Sequence, residues 1–142
     1  MFDKILVVCV GNICRSPSGE YLLKSLLLNK TIASAGIAAL VDKSADKLAQ
    51  QVALEHNIIL EGHKAQQLNA DLCHEFDLIL VMESGHIGAV SEIAPEARGK
   101  TMLLSHWVGK QDIPDPYRQS KVAFEHVYQL IEKSATAWAK KL

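Results

Sequence analysis

Apolar residues fall along the chain in two patterns, short unbroken runs and longer stretches at helical spacing. The first run, Lys4-Ile-Leu-Val-Val-Cys9, is continuous rather than alternating, the pattern of a central parallel strand buried on both faces. Asp77-Leu-Ile-Leu-Val-Met82 reads the same way. Further strands are expected at Thr31–Ile37, ended by Gly36, and at Thr101–His106. Helical spacing predicts helices over Glu20–Leu28 and over Ala45–His56, the latter turning Leu48, Val52 and either Ala53 or Leu54 inward. Asn69 caps a short helix to Phe76, and Glu83–Ile93 forms another, weakened by Gly85 and Gly88. Val108–Arg118 holds a glycine and two prolines without periodicity, so it is a loop. A final helix from Ser120 onward faces Val122, Phe124, Val127, Leu130, Ile131, Ala135 and Trp138 to the core.

Strands that alternate with helices predict an α/β fold, a parallel sheet with helices on both faces. No repeat, low-complexity tract or linker interrupts residues 1–142, so one domain is expected. Ligands of such sheets bind beyond the carboxyl ends of the strands. Cys9 stands at such an end.

Composition changes this picture only by exclusion. Hydrophobic residues make up 49% and charged residues 22%, with 15 basic and 16 acidic side chains and a formal charge of −1. No basic block or stripe suggests a nucleic-acid surface, so an anion site must be built locally by a loop and an arginine. The apolar runs are too short to span a bilayer, and the start lacks a secretory pattern, so a cytoplasmic protein without membrane insertion is expected. Cysteines at 9, 14 and 73 are odd in number and fit no disulfide framework. Reduced thiols suit a cytosolic setting.

Cys9-Val-Gly-Asn-Ile-Cys-Arg15-Ser16 is a C-x5-R-S pattern between a strand and a helix. Gly11 and Asn12 accept the unusual backbone angles that turn successive N–H groups of Val10 to Cys14 onto one anion. The helix that follows, with Ser16 as N-cap and Pro17 in first position, adds its positive end. The planar guanidinium of Arg15 holds two phosphate oxygens in parallel. The same positive surroundings favour the nucleophilic thiolate of Cys9 without a histidine to deprotonate it. Ser16 also reads as a hydroxyl donor to the Cys9 sulfur. A Cys9–Cys14 disulfide is conceivable, with geometry to decide it.

Breaking an aryl phosphate ester needs a proton for the departing oxygen, which Arg15 cannot supply. Asp115, in Ile113-Pro-Asp-Pro-Tyr117, is the candidate acid, held extended by its flanking prolines, and Asp112 is the fallback. On its own Pro-Asp-Pro is also ordinary loop chemistry. Tyr117 lines the slot beside a substrate ring or packs the loop.

Together Val8-Cys-Val-Gly-Asn-Ile-Cys-Arg-Ser-Pro17, Ser34-Ala-Gly36, Gly62-His63, Asp77–Met82 and Asp115-Pro-Tyr117 closely resemble the low-molecular-weight protein tyrosine phosphatases. The resemblance implies a three-layer domain with a four-stranded parallel sheet in the order 2-1-3-4. It implies that Cys9 forms a cysteinyl-phosphate while Asp115 protonates the phenol oxygen. Asp115 then activates water, and Ser16 eases departure of the thiolate. It further implies that Asn12, Ser34 and His63 support the loop, although His63 alone reads as a surface residue. Leu40 occupies the region of the substrate wall. Pro95-Glu-Ala-Arg-Gly99, His106-Trp107 and Ile113–Arg118 resemble the bacterial branch that acts with tyrosine autokinases of capsule and exopolysaccharide export. A phosphotyrosine protein, such as a cognate kinase, is the implied partner, with phosphate as product and no cofactor. Gln66 stands where relatives often have arginine.

Two rivals use the same loop. A thioredoxin-coupled arsenate reductase needs two further cysteines, and only Cys73 lies outside the loop. A phosphate-binding module would leave Cys9 and Asp115 without work. No cysteine–histidine set has zinc spacing, so no metal is expected.

Overall fold

The strand β1 (Lys4–Cys9) lies between β2 (Thr31–Gly36) and β3 (Leu78–Val81), which is why its apolar run carries no polar alternation. A computed structural model describes residues 2–142. Among the described residues β4 (Thr101–Leu103) completes one parallel sheet in the order β2-β1-β3-β4, as expected. Ile5, Val7 and Cys9 face a layer built by α1 (Arg15–Leu26), α2 (Lys47–Glu55) and the long C-terminal helix α5 (Lys121–Ala139). Leu6 and Val8 face α3 (Ala70–Glu75), α4 (Ser84–Ile93) and a 3-10 helix at Pro95–Lys100 that periodicity did not reveal. Each of these fully buried aliphatic side chains contributes about 1.5–3 kcal/mol relative to exposure.

Several boundaries differ from expectation. The helix α1 begins at Arg15 with Cys14 as its N-cap, so Ser16 and Pro17 lie inside the first turn. Pro17 is tolerated there because first-turn N–H groups have no intrahelical acceptor. β4 stops at Leu103, opposite the last residue of β3, and Leu104–Trp107 turns as a 3-10 helix. An edge strand without a partner beyond that point has no ladder to extend. Val122 is 72% exposed, because it falls out of phase with the stripe through Phe124, Val127, Ile131, Ala135 and Trp138. Leu54 is also exposed, and Ala49, Val52 and Ala53 turn inward on α2.

Gly36 ends β2 beside Cys9, and a Cβ there would sit 2.4 Å from the Val10 carbonyl oxygen. That oxygen belongs to the backbone and cannot move aside cheaply. Gly36→Ala is expected to destabilise the protein by roughly 1–3 kcal/mol, read as a lower urea midpoint, through this overlap.

Candidate active site

The segment joining β1 to α1 turns its carbonyl oxygens away from its own centre. Cys9 O accepts from Ile37 N (2.9 Å), Val10 O from Ala38 N (2.9 Å) and Gly11 O from Leu40 N (3.1 Å). Ile13 O accepts from Asp46 N at 2.8 Å, and Asn12 O faces His63 Nε2 at 2.7 Å. Among the described residues no backbone N–H from Val10 to Cys14 finds a protein acceptor. Every peptide of the loop therefore leaves a donor unpaired while its acceptor is tied outward. Such a nest attracts an anion, because unpaired peptide N–H groups need a partner. The turn depends on Asn12, whose φ of 59° is the left-handed conformation that asparagine tolerates best after glycine. Gly11, expected to share that role, does not have positive φ.

Behind the loop lies a buried polar network. The Asn12 side-chain amide donates to Ser16 Oγ (2.7 Å) and Ser34 Oγ (2.9 Å), and its Oδ1 accepts from Gln66 N (2.9 Å). Since Ser16 Oγ already accepts from Asn12, its own proton is free for Cys9 Sγ, 2.9 Å away. The hydroxyl thus serves the sulfur rather than capping the helix. Ser34 donates to Glu20 Oε1 at 2.5 Å, and Glu20 Oε2 accepts from Lys24 Nζ at 2.6 Å. A carbonyl can only accept, so His63 carries its proton on Nε2 and holds Asn12 in place. Gln66 Nε2 donates to Ser34 O at 2.9 Å, which gives that position a polar contact without an ion pair. Glu20 was not foreseen; the signal was its position four residues after Ser16, on the same face of α1.

Arg15 is only 1% exposed. Its Nη1 donates to Glu83 Oε2 (2.5 Å) and to Ile113 O (2.8 Å), and Nη2 lies 3.8 Å from Asp115 Oδ2. Glu83 also escaped the sequence reading, although it stands two residues beyond β3, at a strand carboxyl end, as the residue that precedes α4. Ile113 is fully buried and donates its N–H to Met82 O (2.9 Å), which anchors the approach to Asp115. Asp115 Oδ1 accepts from Tyr117 N at 3.0 Å. Asp112 is directed elsewhere: its Oδ1 accepts from Ser84 N at the start of α4, and it does not line the cleft that Asp115 borders.

A cleft of 170 Å³ unites these parts. Cys9, Val10, Gly11, Ile13, Cys14 and Arg15 form its floor, and Leu40, Asp115 and Tyr117 its walls, together with Ala38, which was not anticipated. Asn12, Ser16, Ser34 and His63 are buried behind it. All three cysteines are free thiols, and burial, followed by the Asp46 charge, pushes the Cys14 thiol up. Cys73 packs on the opposite face of the sheet from Cys9. A thiol relay between them has no path.

Residues 4–142 match the family described as low molecular weight phosphotyrosine protein phosphatase, and the chain belongs to it. It is 58% identical over 142 residues to Wzb of Salmonella typhimurium, covering all of this chain and 95% of that protein. A structure of Vibrio vulnificus Wzb in complex with benzylphosphonate is 62% identical, with a TM-score of 0.99 and complete coverage of both chains. Wzb of Escherichia coli K30 in complex with phosphate is 54% identical, with a TM-score of 0.95 over 100% of this chain and 99% of that one. The chain is accordingly a protein-tyrosine phosphatase, a phosphoric-monoester hydrolase.

His86 on α4 packs beside the Arg15 anchor, with Nε2 3.7 Å from Glu83 Oε2 and a buried Nδ1 that lacks a partner among the described residues. Burial first, then Arg15, lowers its pKa below 6.5, against the opposing pull of Glu83, Asp112 and Asp115. The unfolded chain therefore binds this proton more readily than the folded one. Its contribution to stability is complete above pH 6.5 and is lost as pH falls through the lowered folded-state value. Urea unfolding at about pH 7.5 and about pH 5.5 should show a smaller acid loss for His86→Asn than for the natural protein.

Proposed function

We propose that Cys9, Arg15 and Asp115 carry a two-step displacement on protein phosphotyrosine. The observation that carries this reading is the juxtaposition, in one cleft, of the Cys9 sulfur, a loop of unpaired N–H groups and Asp115. The Cys9 thiolate attacks phosphorus, and the bond from phosphorus to the tyrosine oxygen breaks as Asp115 gives that oxygen its proton. The loop N–H groups and Arg15 bear the charge on the three non-bridging oxygens, pre-oriented donors being worth most in a site shielded from water. Water then attacks the cysteinyl-phosphate and loses a proton to Asp115. The phosphorus–sulfur bond breaks, inorganic phosphate leaves, and the Ser16 hydroxyl at 2.9 Å stabilises the returning thiolate. Leu40 and Tyr117 flank the substrate ring.

The physiological partner in this reading is a phosphorylated tyrosine autokinase of capsule or exopolysaccharide export, supported by the kinship to Wzb and AmsI. The enzyme works in the cytoplasm as one catalytic domain over residues 1–142. A reducing compartment keeps a nucleophilic thiol active. No metal or cofactor enters the scheme.

Cys9→Ser should abolish hydrolysis yet retain phosphate binding, measured by calorimetry; residual turnover would point to another nucleophile. Asp115→Asn should slow a phosphotyrosine peptide by about 10²–10⁴-fold, the usual worth of a general acid. p-Nitrophenyl phosphate, with its more acidic leaving group, should suffer less, and equal loss on both would assign the proton elsewhere. Activity that disappears with EDTA would contradict the metal-free scheme.

A further inference from the structure

The cleft does not end at its walls. Ile13, Leu40 and Tyr117 also line a shallow trough of 510 Å³ that runs from the cleft onto the start of α2. Lys43 and Lys47 stand along that trough, both exposed, and among the described residues neither has a carboxylate within 4.0 Å. Asp46 is the one carboxylate on its wall, and Oδ1 of that group is engaged with Leu48 N (2.8 Å) and Ala49 N (3.4 Å) as the cap of α2. Arg118 adds a further cation, its guanidinium 5.3 Å from the centre of the Tyr117 ring that separates cleft from trough. Gln50 donates its amide to Ala45 O at 2.7 Å, which leaves Oε1 to accept an N–H from an extended chain.

We infer that this trough receives the residues flanking the phosphotyrosine and selects for anionic side chains among them, with Lys43 and Lys47 as the specificity-determining residues. The inference rests on the reading of the cleft as the phosphotyrosine site. A peptide whose phosphate sits in the loop and whose chain passes between Leu40 and Tyr117 enters the trough, which shares both residues with the cleft. Two free ammonium groups in a mostly exposed setting attract a carboxylate or a phosphoryl group without demanding bidentate geometry. Their effect is modest and additive in character, as exposed ion pairs are. It tunes selection among phosphotyrosine sites and leaves the chemistry to the loop.

The test compares kcat/KM for phosphotyrosine peptides that differ only in flanking residues. One set carries Asp or Glu on either side, one carries Asn or Gln, and one carries a second phosphorylated residue. The natural enzyme should favour the anionic sets by about two- to fivefold per engaged lysine. The advantage should shrink from about 0.1 M to about 1 M salt as screening shortens the Debye length. In a Lys43→Ala, Lys47→Ala double variant the anionic-to-neutral ratio should fall to about one, and Lys43→Glu with Lys47→Glu should invert it. Preference for either anionic set, carboxylate or phosphoryl, over the neutral set supports the inference. Equal rates on anionic and neutral peptides, or a preference that survives both double variants, would overturn the inference. Failure of the natural protein to hydrolyse any phosphotyrosine peptide would instead overturn the reading of the cleft.

Discussion

A guanidinium ion cannot give up its charge in a protein, and Arg15 is buried almost completely. Taking such a group out of water costs several kcal/mol unless it is paired and hydrogen-bonded. The surroundings of the site satisfy that requirement with Glu83 from the end of β3, the Ile113 carbonyl from the long loop, and Asp115 at its edge. Arg15 in turn begins α1, immediately after the phosphate loop that leaves β1. One ion therefore fastens three separate stretches of chain around a common point. Ile113, the anchor of the loop, is itself fully buried in the hydrophobic core and bonded to Met82 O, so the carbonyl that Arg15 meets is fixed in place.

Around that anchor the loop divides its peptide groups by polarity. Its oxygens are tied outward to 37–46 and to His63, so its N–H groups remain as the lining of the cleft. The arrangement is prepared before a phosphate arrives, and little reorganisation is left for the reaction. Asn12 makes it possible in two ways, by accepting a left-handed backbone and by spending every side-chain polar atom on Ser16, Ser34 and Gln66. Gly36 makes it possible by having no Cβ where the Val10 carbonyl passes. Cys9, Arg15 and Asp115 line the cleft, whereas Asn12, Ser34 and His63 are buried behind it and hold the loop.

Much of this was legible along the chain. The unbroken run Lys4–Cys9 announced a central strand, and C-x5-R-S after it announced an anion loop, because both are local patterns with local causes. Resemblance to a family supplied the sheet order, the role of His63 and the wall at Leu40. Boundaries were less legible. Ser16 followed by Pro17 is good N-cap chemistry, yet the helix starts at Arg15 because the Ser16 hydroxyl has better partners in Cys9 and Asn12. Val122 had the right residue type and the wrong phase. Thr101–His106 had strand composition, but its partner strand ran out at Val81.

By itself the sequence determined the alternation of strands and helices, the placement of Cys9 at a strand's carboxyl end, and the three residues, Cys9, Arg15 and Asp115, that the fold brings to one cleft. Those follow from periodicity and from side-chain chemistry, which act within a few residues. Only the tertiary structure decided which of two nearby aspartates faces the cleft. Asp115 lies beside Arg15 and Asp112 caps α4, a choice made by the anchoring of Ile113 on Met82. It also decided that Glu83 belongs to the site, since 68 residues separate it from Arg15. Contacts of that range are set by how the layers pack, and no local pattern carries them.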